Sequence, residues 1–305
     1  DENNVNRNVS IISKEISYPP GLKNIIEEII VNAIDNHNRI KQRSKQGKRR
    51  LKGMTYIKVS VDKSSGKITI ENDGEGIDVA EHPIEKVYIP QMIFGELLTS
   101  GNYNKDEEKT TGGKNGYGAK LTNIFSTYFK IETVDRKRKL MFSQEYRNNM
   151  DVKETPIITK YTDYPFTRIT FIPDYAKFGI EGLSNNLISL IEKRTYDMVA
   201  CSSGEIKVYF NDKLVELKDF NEYMSLYIGN ETDSPRVTQK IGDRWEIGAA
   251  LTPTFSFQQI SFVNGINTCR GGRHVDYIAK QISKTMVEYI KKKKKLTVKE
   301  HIIKE

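Results

Sequence analysis

Glu28, Asn32 and Asp35 fall at i, i+4 and i+7, with Asn36 beside them. On a helix turning ~100° per residue these side chains share one face, apart from the face carrying Ile26, Ile29, Ile30 and Ala33. A carboxylate one turn from a carboxamide can poise a water and offer a neutral oxygen to a cation. Mg²⁺ suits such a pair, because it takes a few protein oxygens and fills its shell with water and substrate phosphates. The same stripe also fits the solvated face of an amphipathic helix, and Glu27 reads as solvent-facing in that sense. A second stretch, Thr111-Gly112-Gly113-Lys114-Asn115-Gly116-Tyr117-Gly118-Ala119-Lys120, holds four glycines in ten residues. It runs straight into an apolar segment compatible with helix. A glycine-rich turn opening a helix presents free N–H groups and the positive end of a dipole, which suits phosphate. It is not a Walker loop, since Lys120 is followed by Leu121. It is not the G-x-G-x-x-G turn either, since Leu121 stands where the third glycine belongs. A third stretch, Asn72-Asp73-Gly74-Glu75-Gly76, follows an apolar alternation. An amide or carboxylate at a strand end can read the exocyclic amine of a purine, although Asp-Gly-x-Gly alone is also an ordinary turn.

The elements that must position these residues are readable from periodicity. Leu22, Ile25, Ile26, Ile29, Ile30, Ala33 and Ile34 predict a helix over residues 22–40. Residues 41–53 carry seven Lys/Arg in thirteen and read as a basic loop. Residues 54–61 alternate, a Ser-Ser-Gly turn follows, and residues 67–71 complete a hairpin. A helix is expected around residues 92–98 and another over 121–129. Strands are expected at 130–134, 140–146 and 168–172, and a helix at 184–200. A second domain is expected from residue 205, with strands at 206–210, 213–215, 245–250 and 258–263 and a helix over 275–290 ending in Lys291 to Lys295. Residues 9–12 read as a short strand stopped by Pro19 and Pro20.

Composition bounds the rest. The chain has 305 residues, 37% hydrophobic and 29% charged, with net charge +8. That is enough for two domains with cores and favours a polyanionic partner without proving one. The only cysteines, Cys201 and Cys269, are too few for a disulfide framework and suggest a reducing compartment. No run approaches the ~20 apolar residues of a membrane span, so no membrane partner is expected. No His/Cys cluster has metal-ligand spacing, and His274 reads as a loop histidine. Lys304-Glu305 does not read as a natural domain end, so the chain is expected to be a fragment.

In order, these pieces resemble the Bergerat-fold ATPases, a group that includes type II topoisomerases, Hsp90-type chaperones, MutL-type repair proteins and histidine kinases. Within it, EIIVNAIDN (28–36), FGELLTSGNY (94–103), TGGKNGYGAKLTNIFS (111–126) and SFVNGINTCRGGRHVDY (261–277) are similar to the ATPase region of eukaryotic-type DNA topoisomerase II. The resemblance runs over nearly the whole chain. It implies an α+β fold: a Bergerat-type α/β sandwich over residues 1–204, mainly antiparallel sheet with helices on one face. A truncated transducer-like α+β domain over residues 205–305 would follow.

The resemblance also implies roles. Glu28 would be the general base and Asn32 the Mg²⁺ ligand. ATP would be contacted by Asn32, Asn36, Asn72, Ser100, Gly101, Asn102 and Thr170, and by the loop Gly113, Lys114, Asn115, Gly116, Tyr117, Gly118, Ala119 and Lys120. In that set Asn72 matches the adenine position, Ser100 and Asn102 the ribose and phosphate contacts, and Lys120 a phosphate contact. Lys291, Lys292 and Lys293 would meet double-stranded DNA without sequence preference. ATP and Mg²⁺ are the implied cofactors, a homodimer the implied assembly of the full-length protein, and the nucleus the implied location. The implied activity is ATP-gated passage of one duplex through another. Gly101 stands where many relatives have a second serine, the basic loop is longer than usual, and the family's Gln-Thr-Lys loop would lie beyond Glu305. The fragment is therefore expected to bind nucleotide but hydrolyse it slowly and dimerise poorly. Two alternatives stand beside this reading: an Hsp90-type ATP-dependent chaperone, and a module that binds nucleotide without turnover.

Overall fold

The computed structural model describes residues 9–45, 53–96, 117–242, 244–252 and 256–304. Contacts divide the chain into Ile11–Asp219 and Phe220–Glu305, the latter together with Asp1–Ser10.

The first unit is organised by helix α1 (Pro20–Lys45). Pro20 opens it, where its missing N–H costs nothing. Leu22, Ile25, Ile26, Ile29, Ile30, Ala33, Ile34 and Ile40 are all buried, and each large side chain so removed from water contributes about 1.5–3 kcal/mol. The helix runs further than its apolar stripe predicts. No breaker stands between Ile40 and Lys45, and two of the added cations find partners: Lys41 on Glu205 and Arg43 on Glu75. Residues 46–52 of the expected basic loop lie outside the described residues. The expected strand at 9–12 does not form; residues 9–19 are irregular.

Strands β1 (Tyr56–Asp62), β2 (Lys67–Asn72), β3 (Ser126–Asp135), β4 (Leu140–Arg147), β5 (Val152–Lys153), β6 (Ile157–Lys160), β7 (Thr167–Pro173), β8 (Lys207–Phe210) and β9 (Lys213–Leu214) form one sheet. Its order is β5-β4-β3-β7-β2-β1-β8-β9, with β6 also on β4. Every pairing is antiparallel except β1 with β8. Register places Val59, Ile70, Ile169, Ile131 and Phe129 on one buried face, and Lys58, Glu71, Arg168, Glu132 and Lys130 on the other. The apolar face shares its core with residues of α1, α3 (Gly118–Ile124) and α4 (Asn185–Cys201). The polar face is laced by Arg168, whose guanidinium reaches Glu71 at 2.6 Å and Glu132 at 3.4 Å. Ser184 caps α4, its hydroxyl accepting from the Leu187 N–H at 3.2 Å.

Three expectations shift. The helix read over 121–129 ends at Ile124, and β3 begins at Ser126. Phe129 and Ile131 are fully buried on alternate positions, and the aromatic and β-branched run Thr127-Tyr128-Phe129 suits the pleat. A short helix, α2 (Ile89–Gly95), precedes α3, and residues 97–100 lie outside the described ones. The contacts part after Asp219 rather than after Gly204, because β8 lies parallel to β1, Tyr56 opposite Lys207 and Val59 opposite Phe210. Parallel neighbours distant in sequence leave no local signal.

The second unit holds α5 (Phe220–Ile228), the hairpins β10 (Arg236–Ile241) with β11 (Trp245–Ala250) and β12 (Phe262–Val263) with β13 (Ile266–Asn267), α6 (Arg273–Lys294) and α7 (Glu300–Lys304). Arg236 closes α5, donating to the carbonyl of Gly229 at 2.5 Å and to the Ser225 hydroxyl at 3.0 Å. His274 Nε2 sits 3.1 Å from Thr268 Oγ1 and 3.2 Å from Ser261 Oγ, which fixes the loop before α6. Among the described residues no helix is long and apolar enough to cross a membrane.

Candidate functional site

Glu28, Asn32 and Asn36 lie half-buried along α1, each one turn from the next. At one end of this row Glu28 packs against Gly118, the first residue of α3. A Cβ built on Gly118 would meet the Glu28 Cγ at 2.7 Å and its carboxyl group closer still. The helix α3 is held there by Thr122, whose hydroxyl donates to the Ile25 carbonyl at 2.8 Å, and by Asn123, whose amide donates to the Phe94 carbonyl at 3.0 Å. Burial raises the Glu28 pKa above its ordinary 4.5, and the negative charges of Asp35 and Glu27 raise it further. A carboxylate made more basic by its surroundings is suited to accept a proton near neutral pH.

At the other end Asn36 donates from Nδ2 to Asn72 Oδ1 at 3.2 Å, and the Gly74 N–H donates to the same oxygen at 3.2 Å. Asn72 is 5% exposed at the end of β2. Gly74 is there because nothing larger fits: a Cβ would fall 2.9 Å from Asn72 Oδ1 and 3.0 Å from Met54 Cε, and nearer still to Asn36 Nδ2. Asp73, the other candidate reader in this stretch, is consumed elsewhere. Its carboxylate accepts from the N–H groups of Thr55 and Tyr56 at 2.7 and 2.9 Å, and also bonds the Thr55 hydroxyl, so it anchors the start of β1. Gly76, at φ 76°, brings its backbone against the Val134 carbonyl and threads the following loop onto β3. Along that loop the Ile77 N–H donates to Thr133 Oγ1 at 3.0 Å.

The remaining expected residues separate. Tyr117, Gly118 and Ala119 stand at the start of α3, Tyr117 as its N-cap. Lys120 is 1% exposed, its pKa lowered by burial and partly restored by the charge of Glu96. Ser100, Gly101, Asn102, Gly113, Lys114, Asn115 and Gly116 lie outside the described residues. Thr170 is a correction: it pairs with Thr69 and Lys130 on the polar face of the sheet, with its hydroxyl 3.2 Å from that of Thr69. Asn72 and α1 are on the opposite face. Thr167, directly across from Asn72, is on the site's face, with its hydroxyl 2.9 Å from that of Thr133. The strand alternation could have found it, since residues three apart in a strand face opposite ways. Glu27 is a second correction: it is not solvent-facing but ion-paired to Arg194 of α4 at 2.8 Å. In the second unit, Lys291, Lys292 and Lys293 stand exposed in the last turn of α6 beside Lys294.

Two family models match the chain, one in each half, the second beginning ten residues before the contacts part. Residues 17–149 match the family described as histidine kinase-, DNA gyrase B- and HSP90-like ATPase, and residues 209–305 match the family described as DNA gyrase B. The crystal structure of the ATPase region of Saccharomyces cerevisiae topoisomerase II is 42% identical, with a TM-score of 0.83 over 96% of this chain and 73% of that one. This chain belongs to the family of topoisomerase II ATPase regions. The ATPase and transducer domains of DNA topoisomerase II from Balamuthia mandrillaris superpose with a TM-score of 0.85 at 39% identity, over 96% of this chain and 72% of that one. The Caenorhabditis elegans DNA topoisomerase 2 top-2 is 45% identical over 92% of this chain, and DNA topoisomerase 2-beta of Homo sapiens 44% over 95%. The chain spans 18% and 17% of the lengths of those two relatives. Against the Hsp90-type alternative, the match to the ATPase regions of topoisomerase II extends through the second unit, where the gyrase B family matches.

Proposed function

We propose that the chain is the nucleotide-operated gate of a type II DNA topoisomerase, which binds and hydrolyses ATP to drive passage of one duplex through another. The observation that carries this reading is the single row on α1. Glu28 is set against the start of α3, and Asn36 is tied to Asn72 at the end of β2, about 12 Å further along the helix at 1.5 Å per residue. One end of the row suits a purine and the other a reacting phosphate. Glu28 accepts a proton from the attacking water as its oxygen bonds to the terminal phosphorus; the bond to the bridging oxygen breaks, leaving ADP and inorganic phosphate. Asn72, its Oδ1 engaged by Asn36 and Gly74, is fixed to meet the base, and Thr167 shares its face.

The donor set fits Mg²⁺. Asn32 offers a neutral carboxamide oxygen one turn from Glu28, of the kind Mg²⁺ takes alongside water and substrate phosphates. When bound with the nucleotide, Mg²⁺ neutralises phosphate charge. Lys291, Lys292 and Lys293 would contact the duplex by charge alone, and closure would pair two copies of the whole protein in the nucleus. The test is Glu28→Gln. Retained binding of a Mg²⁺–ATP analogue with loss of hydrolysis supports the gate. Undiminished hydrolysis refutes the assignment of the base, and failure of the wild-type chain to bind nucleotide refutes the reading altogether.

A further inference from the structure

Beside Glu28, on the flank of α1 turned towards α4, is a charge network that the proposed reaction does not use. Arg194 is buried, its side chain 3% exposed, and its Nε donates to Glu27 at 2.8 Å. Its Nη1 lies 3.9 Å from Asp197, which is 2% exposed and held by Lys193 at 2.9 Å. The link joins α4 to α1 across 167 residues of sequence. On its other flank α1 is held by α3, through the Thr122 hydroxyl on the Ile25 carbonyl and through Gly118 against Glu28. The first turns of α1 are therefore held by both α3 and α4, and the hold from α4 acts on the residue next to the general base.

We propose that Arg194 is a positioning residue for hydrolysis: through Glu27 it sets the rotation of α1 and so the placement of the Glu28 carboxylate. The assignment rests on the gate reading above. Adjacent residues of one helix keep a fixed angular spacing of ~100°, so a turn of the helix backbone at Glu27 carries Glu28 with it. At a side-chain radius of about 5.5 Å a rotation of only ~10° moves the carboxylate by about 1 Å. A displacement of that size costs on the order of 100-fold in rate. The groups that act on Glu28 among the described residues are Asp35 and Glu27 of α1 itself. Facing it from α3 is Gly118. Arg194 therefore reaches Glu28 by way of Glu27.

The experiment compares R194M, R194K and E27M/R194M in the protein as expressed from its own gene, reading melting temperature, affinity for a fluorescent Mg²⁺–ATP analogue and turnover at saturating ATP. A buried ion pair replaced as a whole by apolar side chains is often neutral for stability, so the double variant should melt near wild type. Its turnover should nevertheless fall about 100-fold, with affinity within about threefold. R194K, which keeps the charge but not the planar fork, should recover part of that loss. A double variant that melts and turns over like wild type overturns the proposal, as does R194M with undiminished turnover. If R194M fails to fold, R194K and the double variant decide alone. Wild-type protein that neither binds nor hydrolyses ATP overturns the gate reading itself, an outcome distinct from any seen only in the variants.

Discussion

Gly118→Ala separates the fold from the reaction. Gly118 opens α3, and the three atoms nearest a Cβ added there all belong to Glu28, with Cγ at 2.7 Å and the carboxyl group closer. The obstruction is the far end of a flexible side chain, so the protein can relieve it by swinging Glu28 aside. For stability the terms offset: alanine in place of glycine in a helix gains about 1 kcal/mol, and an off-rotamer Glu28 costs about 0.5–1.5 kcal/mol. The melting temperature should stay within about 4 °C of wild type for a unit of this size. Turnover should not survive. Moving the base by ~1 Å is worth on the order of 100-fold, equivalent to about 2.7 kcal/mol in the barrier. Calorimetry or circular dichroism reads the first quantity, and phosphate release at saturating ATP, with analogue affinity measured separately, reads the second. A G118A protein that melts normally and hydrolyses normally would refute the reasoning. So would one that is inactive only because it has unfolded.

Gly76→Ala should do the opposite. Gly76 adopts φ 76° and a Cβ would strike the backbone carbonyl of Val134, which cannot move aside, so a loss of about 2–4 kcal/mol in urea unfolding is expected. Changing Lys291, Lys292 and Lys293 to alanine should weaken duplex binding for all sequences alike. The slope of log affinity against log salt should fall by about 2.7, at ~0.9 per phosphate contact, and an unchanged slope would remove these lysines from the interface. His37 is buried on α1 beside Glu205, at 3.3 Å. Burial lowers its pKa below 6.5, Lys41 acts the same way, and Glu205 opposes both. A histidine held neutral in the fold contributes stability that is lost as pH falls through 6.5 towards the folded value. Wild type should therefore lose more melting temperature than His37→Gln between pH 7.5 and 5.5, and equal losses would show that His37 does not titrate across folding.

What was legible in the sequence was local. The α1 stripe, the β1–β2 hairpin, the helical period of α4 and the placing of Glu28 and Asn32 one turn apart, with Asn36 flanking, all follow from residues a few positions apart, where helix and strand periods act directly. What was not legible depends on pairing at long range. Thr170 is named by resemblance, which says nothing about which face a strand residue takes, and only the register of β7 against β2 shows that Thr167 is the threonine on the face of Asn72. Asp73 beside Asn72 could equally have read a base until its carboxylate was found at the start of β1. Arg194 gave no signal, since a single arginine on an amphipathic helix resembles any solvated cation. The pairing of β8 with β1 leaves no mark in the local sequence, because the two strands lie about 150 residues apart, as the bond from the Val61 N–H to Asn211 Oδ1 across 150 positions makes plain.

The glycines show why motif and mechanism are not interchangeable. Gly74 and Gly118 close the two ends of the row on α1, yet neither takes the left-handed backbone that makes glycine conformationally obligatory. They are needed for space: one lets the strand end approach Asn36 and Asn72, the other lets α3 approach Glu28. A side chain at either position pushes first on a functional group and only secondarily on the fold. Gly76, two residues beyond Gly74 in the same sequence stretch, is needed for its backbone angle and for the nearness of a carbonyl, so its substitution pushes on the fold first. A scan that measured only activity would find all three essential. Measured with stability, Gly74 and Gly118 should fall with the reaction and Gly76 with the core.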